Sequence, residues 1–504
     1  MRPLDPETIT LSTLRDIWSG TSVRLDSAAL ARIDASAAAV SRIVASGETV
    51  YGINTGFGLL AQERIPGERL AELQRNLILS HSCGLGEATP RHVTRLMIVL
   101  KLLGLGRGHS GVRREVVEAL QALLDADAMP VIPSQGSVGA SGDLAPLAHM
   151  TAALMGHGWI DLAGERLPAA AALARMGRAA LELGPKEGLA LINGTQFSTA
   201  VALDALFVAE RVFGAALHAG ALAVDALKGS VKPFDPRISA LRGQPGQIRV
   251  AGELSQLLQG SAIVSSHHRC GRVQDPYSFR CQPQVMGAAL DLLENAAKTL
   301  TIEAAAVTDN PILFSGEGGD DAISGGNFHA QPVAFAADTV TMALCEVASL
   351  SERRISVLVD PKMSGLPAFL TDDGGVNSGL MIPQVTAAAL VAENRSLAFP
   401  ASVDSIPTSA GQEDHVSMAP IAARKAAVVA RNAAGVVAVE LITAAQGVDY
   451  HAPLATSTAL QALHGDVRSI SPHLEADRYW ADEMAALQTA VLDGRMSGGF
   501  LLGR

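Results

Sequence analysis

The segment GSVGASGDLAPL, residues 136–147, gathers small residues around the hydroxyl of Ser141, with that of Ser137 four positions before it. Three kinds of chemistry compete for it. A serine nucleophile on a strand-to-helix elbow would read G-x-S-x-G, but Asp143 stands where the last glycine belongs and no strand is evident before it. A phosphate cradle would use glycines spaced by three, yet no Gly-Lys-Ser/Thr follows. A plain turn, with Asp143 capping a helix from Leu144, is favoured on shape alone.

Other residues carry potential chemistry, each beside an ordinary alternative. Tyr51 opens YGINTGFG, residues 51–58. It is either a loop aromatic packed on the core or a phenol needing nearby cations or N–H groups to act as a base. His81 follows Ser80 in LILSHSCGLGE, and a lone histidine is more often structural. Asn193 precedes Gly194 in INGTQ, a common turn pair. RVQDPYSFRCQPQ, residues 272–284, brings Gln274, Tyr277 and Arg280. A guanidinium grips a carboxylate with two prongs, which lysine cannot copy, and a place at a helix start, against the dipole, favours such a use. Phe328 in SGGNFHAQP reads equally well as a buried ring at a helix entry. SAGQEDHVSM, residues 409–418, holds Gln412, Glu413 and His415, and Glu413 could be a solvated loop carboxylate. TDNP, residues 308–311, is simplest as a turn. Gly106-x-Gly108-x-x-Gly111 spells a dinucleotide fingerprint without its strand or acidic partner. His267, His268 and Cys270 suggest a metal by type, but spacing supplies no fourth ligand and no HExxH occurs, so no metal is expected.

These groups lie on breaks between helices. Apolar periodicity predicts helices over 25–48, 68–80, 91–103 and 112–126, another from Leu144, and long ones over 197–227, 281–307, 329–359, 380–397 and 418–446. The breaks are 131–143, 188–196, 265–280, 308–328, 362–379 and 399–417. Rigid scaffolds commonly present catalytic groups on such loops. The expected fold class is mainly α: a long-helix bundle, 196–504, after a smaller N-terminal part, 1–195, with a soft boundary.

Of the 504 residues, 48% are hydrophobic and only 4% aromatic, so Ala, Leu and Val must fill a large core. Lys and Arg number 39 against 50 Asp and Glu, a net charge of −11. That balance argues against nucleic acid and anionic membrane surfaces as partners. The longest uncharged run, 374–392, contains Pro383 and Gln384 and is wrong for a membrane span. Four scattered cysteines and an N-terminus without an apolar h-region suggest a reduced, cytoplasmic protein.

From about Leu25 to Asp493 the chain resembles the aromatic amino acid ammonia-lyase family, most specifically through GSVGASGDLAPLAHM, 136–150. The resemblance implies that Ala140-Ser141-Gly142 cyclises unaided with loss of two waters. The product is the protein-derived cofactor 4-methylideneimidazol-5-one (MIO), an electrophile no ordinary side chain provides. Gly142 lets its nitrogen approach the Ala140 carbonyl, and Ser141 supplies the departing hydroxyl. It further implies Tyr51 as base on the substrate β-carbon and Asn193 beside the cofactor ring. Arg280 becomes the substrate-carboxylate clamp, while Gln274, Tyr277 and Phe328 shape the cofactor side. Ser80-His81 is similar to the pair in histidine-selective members, where tyrosine-selective ones carry His-Leu and phenylalanine-selective ones Phe-Leu. Glu413, usually missing from the latter two, would be a costly buried carboxylate against phenyl but a good partner for an imidazole N–H. The expectation is therefore L-histidine as substrate, with trans-urocanate and ammonia as products, at the first step of histidine degradation. A homotetramer with active sites shared between subunits is also implied. Gly411, His109, Phe399 and Gln331 depart from the usual Asn, Tyr, His and Glu. A phenylalanine or tyrosine lyase, an aminomutase, and a non-catalytic helical scaffold are the alternatives.

Overall fold

Alanine and leucine favour helix, and the chain follows that preference: the fold is mainly α. The computed structural model describes residues 1–46, 50, 52–55, 65–266, 273–316 and 319–503. Among them the long helices are Gln196–Leu227, Gln282–Ala304, Gln331–Val359, Met381–Leu397 and Ala419–Asp449. The N-terminal helices Ser27–Ser46, Leu70–His81, Arg91–Gly106, Arg114–Asp125 and Leu144–Leu154 also match the apolar periodicity.

The chain forms two compact units. The first holds Met1–Asp204 together with Ala297–Ala337 and Pro400–Arg424. Its centre is the helix Arg91–Gly106, buried without a break from Leu96 to Gly106. Short strands edge this unit. Arg2–Leu4 pairs in parallel with Val23–Leu25, and Leu85–Ala88 pairs antiparallel with Pro133–Gln135. Ala128–Pro130, Trp159–Leu162 and Glu165–Pro168 form a three-stranded sheet, and Ile312–Gly316 pairs with Gly319–Ile323.

The second unit holds Ala205–Ala296, Asp338–Phe399 and Lys425–Arg504. Its core contains the Arg354–Glu440 ion pair, with both side chains fully buried. Near its surface, Asp449 accepts hydrogen bonds from His464, Arg468 and His473, each at 2.7 Å. By length and composition, Gln331–Val359 and Ala419–Asp449 could cross a membrane. Their apolar windows are 67% and 78% buried within the protein, as core helices are.

Two sequence expectations need correction. The break at 188–196 contains a helix, Glu187–Ile192, invisible to periodicity because it is held by tertiary bonds. The buried Glu187 carboxylate accepts from the backbone of Gly184 and Arg113 at 2.6 and 2.9 Å and from Arg113 Nε at 2.8 Å. A strand does precede the Ala-Ser-Gly segment, Pro133–Gln135, too short to show alternation. The letters of the dinucleotide fingerprint begin at the C-terminal end of the helix Arg91–Gly106 rather than after a strand.

Candidate active site

The loop from Gly136 to Asp143 is bent by its glycines into a form other residues resist. Gly139, Ser141 and Gly142 all have positive φ, 82°, 50° and 80°. A Cβ on Gly139 would lie 2.1 Å from Ser417 Oγ, and one on Gly142 only 2.2 Å from the Gly194 carbonyl oxygen. Glycine is therefore needed at both for space as well as conformation. The Gly142 N–H turns back to the Gly139 carbonyl at 3.3 Å, while Asp143 N–H donates to the Gly194 oxygen at 2.7 Å. Ser141 has no such freedom; its left-handed backbone costs on the order of 1–3 kcal/mol, strain typical of functional positions.

Three segments converge on Ser141. Its Oγ donates to Glu413 Oε1 at 2.6 Å, and its carbonyl accepts from Asn193 Nδ2 at 2.6 Å. The second Glu413 oxygen accepts from Thr408 Oγ1 at 2.8 Å. Ser409, Ala410 and Gly411, all left-handed at φ 51°, 53° and 87°, turn the chain between Thr408 and Glu413. Asn193 ends the helix Glu187–Ile192 and is 2% exposed, with its Oδ1 buried and unpartnered. His81 ends the helix Leu70–His81, where its Nδ1 lies 2.8 Å from the Leu77 carbonyl. A proton on Nδ1 makes that bond and leaves Nε2 as an acceptor. Burial pulls the His81 pKa down, against the opposing effects of Leu77 and the Glu413 charge, which keeps the ring neutral at pH 7.

Ser141, Asn193, His81, Glu413 and Phe328 line one cavity of about 850 Å³ in the first unit. Ala140 lines an adjoining depression with Ser80, His81 and Glu413. Beneath the loop lie buried charges. Asp143 does begin the helix at Leu144, but its side chain makes no capping bond. Its Oδ2 instead accepts from Ser198 N and Oγ at 2.8 and 2.9 Å, its Oδ1 has no partner, and burial pushes its pKa up to about 7. Asp309 pairs with the fully buried Lys186 at 3.0 Å.

Other expected site residues lie elsewhere. Gln274, Tyr277 and Arg280 belong to the second unit and are not among the residues lining the cavity. Gln274 and Arg280 line a shallow depression there with Lys232. Arg280 stacks its guanidinium 4.4 Å from the centre of the Tyr277 ring and donates to the Asp275 carbonyl at 3.0 Å. Tyr277 is 70% exposed. Arg280 closes the four-residue helix Tyr277–Arg280 and stands two positions before the long helix Gln282–Ala304, the helix start at which the sequence reading placed it. Tyr51, and the triplet His267, His268 and Cys270, lie outside the described residues.

Sequence reasoning missed several neighbours of the site. TDNP is more than a turn: Asp309 forms the buried ion pair, and Asn310 lines the cavity while accepting from Gly325 N at 2.7 Å. His329 and His415, also lining it, stack with ring centres 5.4 Å apart and share a 3.2 Å hydrogen bond. Neither pairing leaves a local pattern in the chain, although QEDHVSM placed His415 beside Glu413.

Residues 9–469 match the aromatic amino acid lyase family. The chain is similar to the crystal structure of histidine ammonia-lyase from Trypanosoma cruzi, with 38% identity, TM-score 0.91, and coverage of 100% of this chain and 96% of that one. It is also similar to tyrosine aminomutase from Streptomyces globisporus, at 35% identity and TM-score 0.93, covering 98% and 97%. Ergothionase from Treponema denticola matches at 25% identity and TM-score 0.92, covering 98% and 99%. With a helical fold, a strained Ala-Ser-Gly loop and these likenesses over its whole length, the chain belongs to the aromatic amino acid lyase family and is a carbon–nitrogen lyase.

Proposed function

We propose that this chain is a histidine ammonia-lyase, converting L-histidine to trans-urocanate and ammonia as the first step of histidine degradation. The observation carrying this reading is the pairing of Glu413 with His81 on the cavity that holds Ser141. A carboxylate and a neutral imidazole offer acceptors for the N–H groups of a substrate imidazole, and a phenyl ring would leave both unsatisfied.

The residues present fit an MIO formed from Ala140, Ser141 and Gly142. Glycine at 142 clears a contact that any Cβ would close. The Ser141 hydroxyl already rests on a carboxylate. Asn193 holds the Ser141 carbonyl and keeps a buried acceptor, Oδ1, free toward further donors. The group would supply an electrophilic exocyclic carbon for activating the amine as a leaving group.

The chain's own residues do the remaining work. His81 and Glu413 orient the ring, Arg280 grips the carboxylate, and Tyr51 removes the β-proton. Asn193, Gln274, Tyr277 and Phe328 shape the cofactor side. Holding these groups together converts elimination into an effectively intramolecular event. Because Gln274, Tyr277 and Arg280 lie off the cavity of the first unit, a homotetramer sharing sites between subunits accounts for their part. A reduced, cytoplasmic setting suits the unpaired Cys83, Cys281 and Cys345.

Incubation with L-histidine should raise urocanate absorbance, and intact mass should show the loss of two waters. Turnover of L-tyrosine or L-phenylalanine in preference to L-histidine would reject the substrate. A full-mass chain that is nevertheless active would reject the cofactor.

A further inference from the structure

The buried cation Lys101 has no part in the reading above. It sits on the helix Arg91–Gly106, 2% exposed. Its Nζ donates to two carbonyl oxygens, of Ala190 at 3.1 Å and of Asn193 at 3.0 Å. Among the described residues no carboxylate is hydrogen-bonded to it; Asp309 and Asp143 act on it only through space, against the like charge of Lys186. Burial pushes its pKa down to about 8. Taking an ammonium out of water for two carbonyl bonds is a poor route to stability, and an apolar residue of similar size would serve a core better. The arrangement makes sense if what those carbonyls hold must stay in place.

What they hold is the turn that faces Ser141. Ala190 and Asn193 end the helix Glu187–Ile192, whose carbonyls lack helical partners and carry the negative end of its dipole. The Asn193 side chain, on the same residue, donates to the Ser141 carbonyl at 2.6 Å. The next residue, Gly194, accepts the Asp143 N–H at 2.7 Å. One ammonium thus fixes the backbone from which both contacts to the Ser141–Asp143 segment are made.

We infer that Lys101 is a positioning residue: by clamping the carbonyls of Ala190 and Asn193 it holds the Asn193 amide against the Ser141 carbonyl, setting the geometry for ring closure and turnover. The inference rests on the proposed function.

The test compares Lys101→Met, which has no donor, and Lys101→Gln, a donor without charge, with the wild-type protein. The readouts are thermal unfolding, intact mass, and kcat and KM for L-histidine against pH. The Met variant is expected to unfold at or above the wild-type temperature, yet to show incomplete loss of two waters. Its kcat should fall by roughly 100-fold, the scale of an ångström-sized misplacement, with KM little changed. The Gln variant should recover part of kcat and lack the fall in rate expected of the wild type as Lys101 loses its proton above about pH 8. A Met variant with complete water loss and wild-type kcat overturns the inference, as does a Gln variant keeping the alkaline fall in rate. If the Met variant does not fold, the Gln variant's pH profile decides. A wild-type chain that itself keeps both waters counts instead against the proposed function.

Discussion

Glu413→Gln is the sharpest probe of substrate choice, because it changes charge and hardly changes shape. In the free protein the carboxylate accepts from Ser141 Oγ and Thr408 Oγ1 at 2.6 and 2.8 Å. A hydrogen bond to a charged partner contributes about 1.5–3 kcal/mol and a neutral one about 0.5–1.5 kcal/mol. Against an imidazole N–H the substitution therefore forfeits about 1–1.5 kcal/mol, roughly tenfold in kcat/KM. If the amide turns its own N–H toward the ring, a donor faces a donor and the loss approaches 3 kcal/mol, roughly 100-fold. L-phenylalanine has no ring N–H to lose, so its slow turnover should hold or rise. Urocanate and cinnamate formation, followed by ultraviolet absorbance, read the two substrates on one preparation. Because Glu413 also holds the Ser141 hydroxyl, intact mass must first show that ring formation is complete. With that established, no change in either rate, or an equal fall in both, would refute the argument from imidazole recognition.

Ser141→Ala removes the hydroxyl that must leave as the second of the two waters, and with it the partly buried hydrogen bond to Glu413, costing about 1 kcal/mol. It should fold, keep both waters by mass, and lose essentially all turnover. Mixing Ser141→Ala chains with Arg280→Ala chains after co-refolding should restore activity that neither has alone, as shared sites require; inactivity of mixed oligomers verified by mass would count against sharing. Asp449 concerns stability. Burial pushes its pKa up, but hydrogen bonds from His464 and His473 and the charge of Arg468 outweigh this and bring it from 3.8 to about 2. A depressed carboxylate stabilises the fold above the unfolded-state pKa near 4 and loses that contribution as pH falls through about 2. The drop corresponds to about 2.5 kcal/mol, so Asp449→Asn should cost about that much at pH 7 and little near pH 2, by denaturant unfolding.

The helices were legible because an apolar stripe repeats every three to four residues whatever lies around it. That is why Arg91–Gly106 and Ala419–Asp449 follow the pattern closely. The helix Glu187–Ile192 was not, since Arg113, 74 positions away, supplies the bonds that settle its first turn. The loop glycines could be read as special, but the left-handed Ser141 could not, because the contacts that meet it, from Asn193 and Glu413, come from distant parts of the chain. Asp143 misled for the same reason. Its type and place suit a cap, whereas Ser198 captures its carboxylate. Lys101 lies in a helix whose stripe predicts burial there, and only the carbonyls it meets explain a charge at that position.

The charges lining the cavity bear on the proposal that the site is shared between chains. Among its described lining residues are two carboxylates, Glu413 and Asp414, three histidines and no lysine or arginine. An amino acid offers both an ammonium and a carboxylate, and this wall suits the first and an imidazole but repels the second. At an effective dielectric of about 20, two like charges 4 Å apart cost about 4 kcal/mol, more than recognition of the ring would return. A cation must therefore come to the substrate carboxylate from outside this wall. In the proposed reading Arg280 fills that need: its guanidinium is stacked on an exposed Tyr277 and donates to the Asp275 carbonyl, and among the described residues no carboxylate is hydrogen-bonded to it. If a neighbouring subunit presents it, assembly itself completes the electrostatics, and a lone chain would bind the imidazole end of its substrate while turning the other end away.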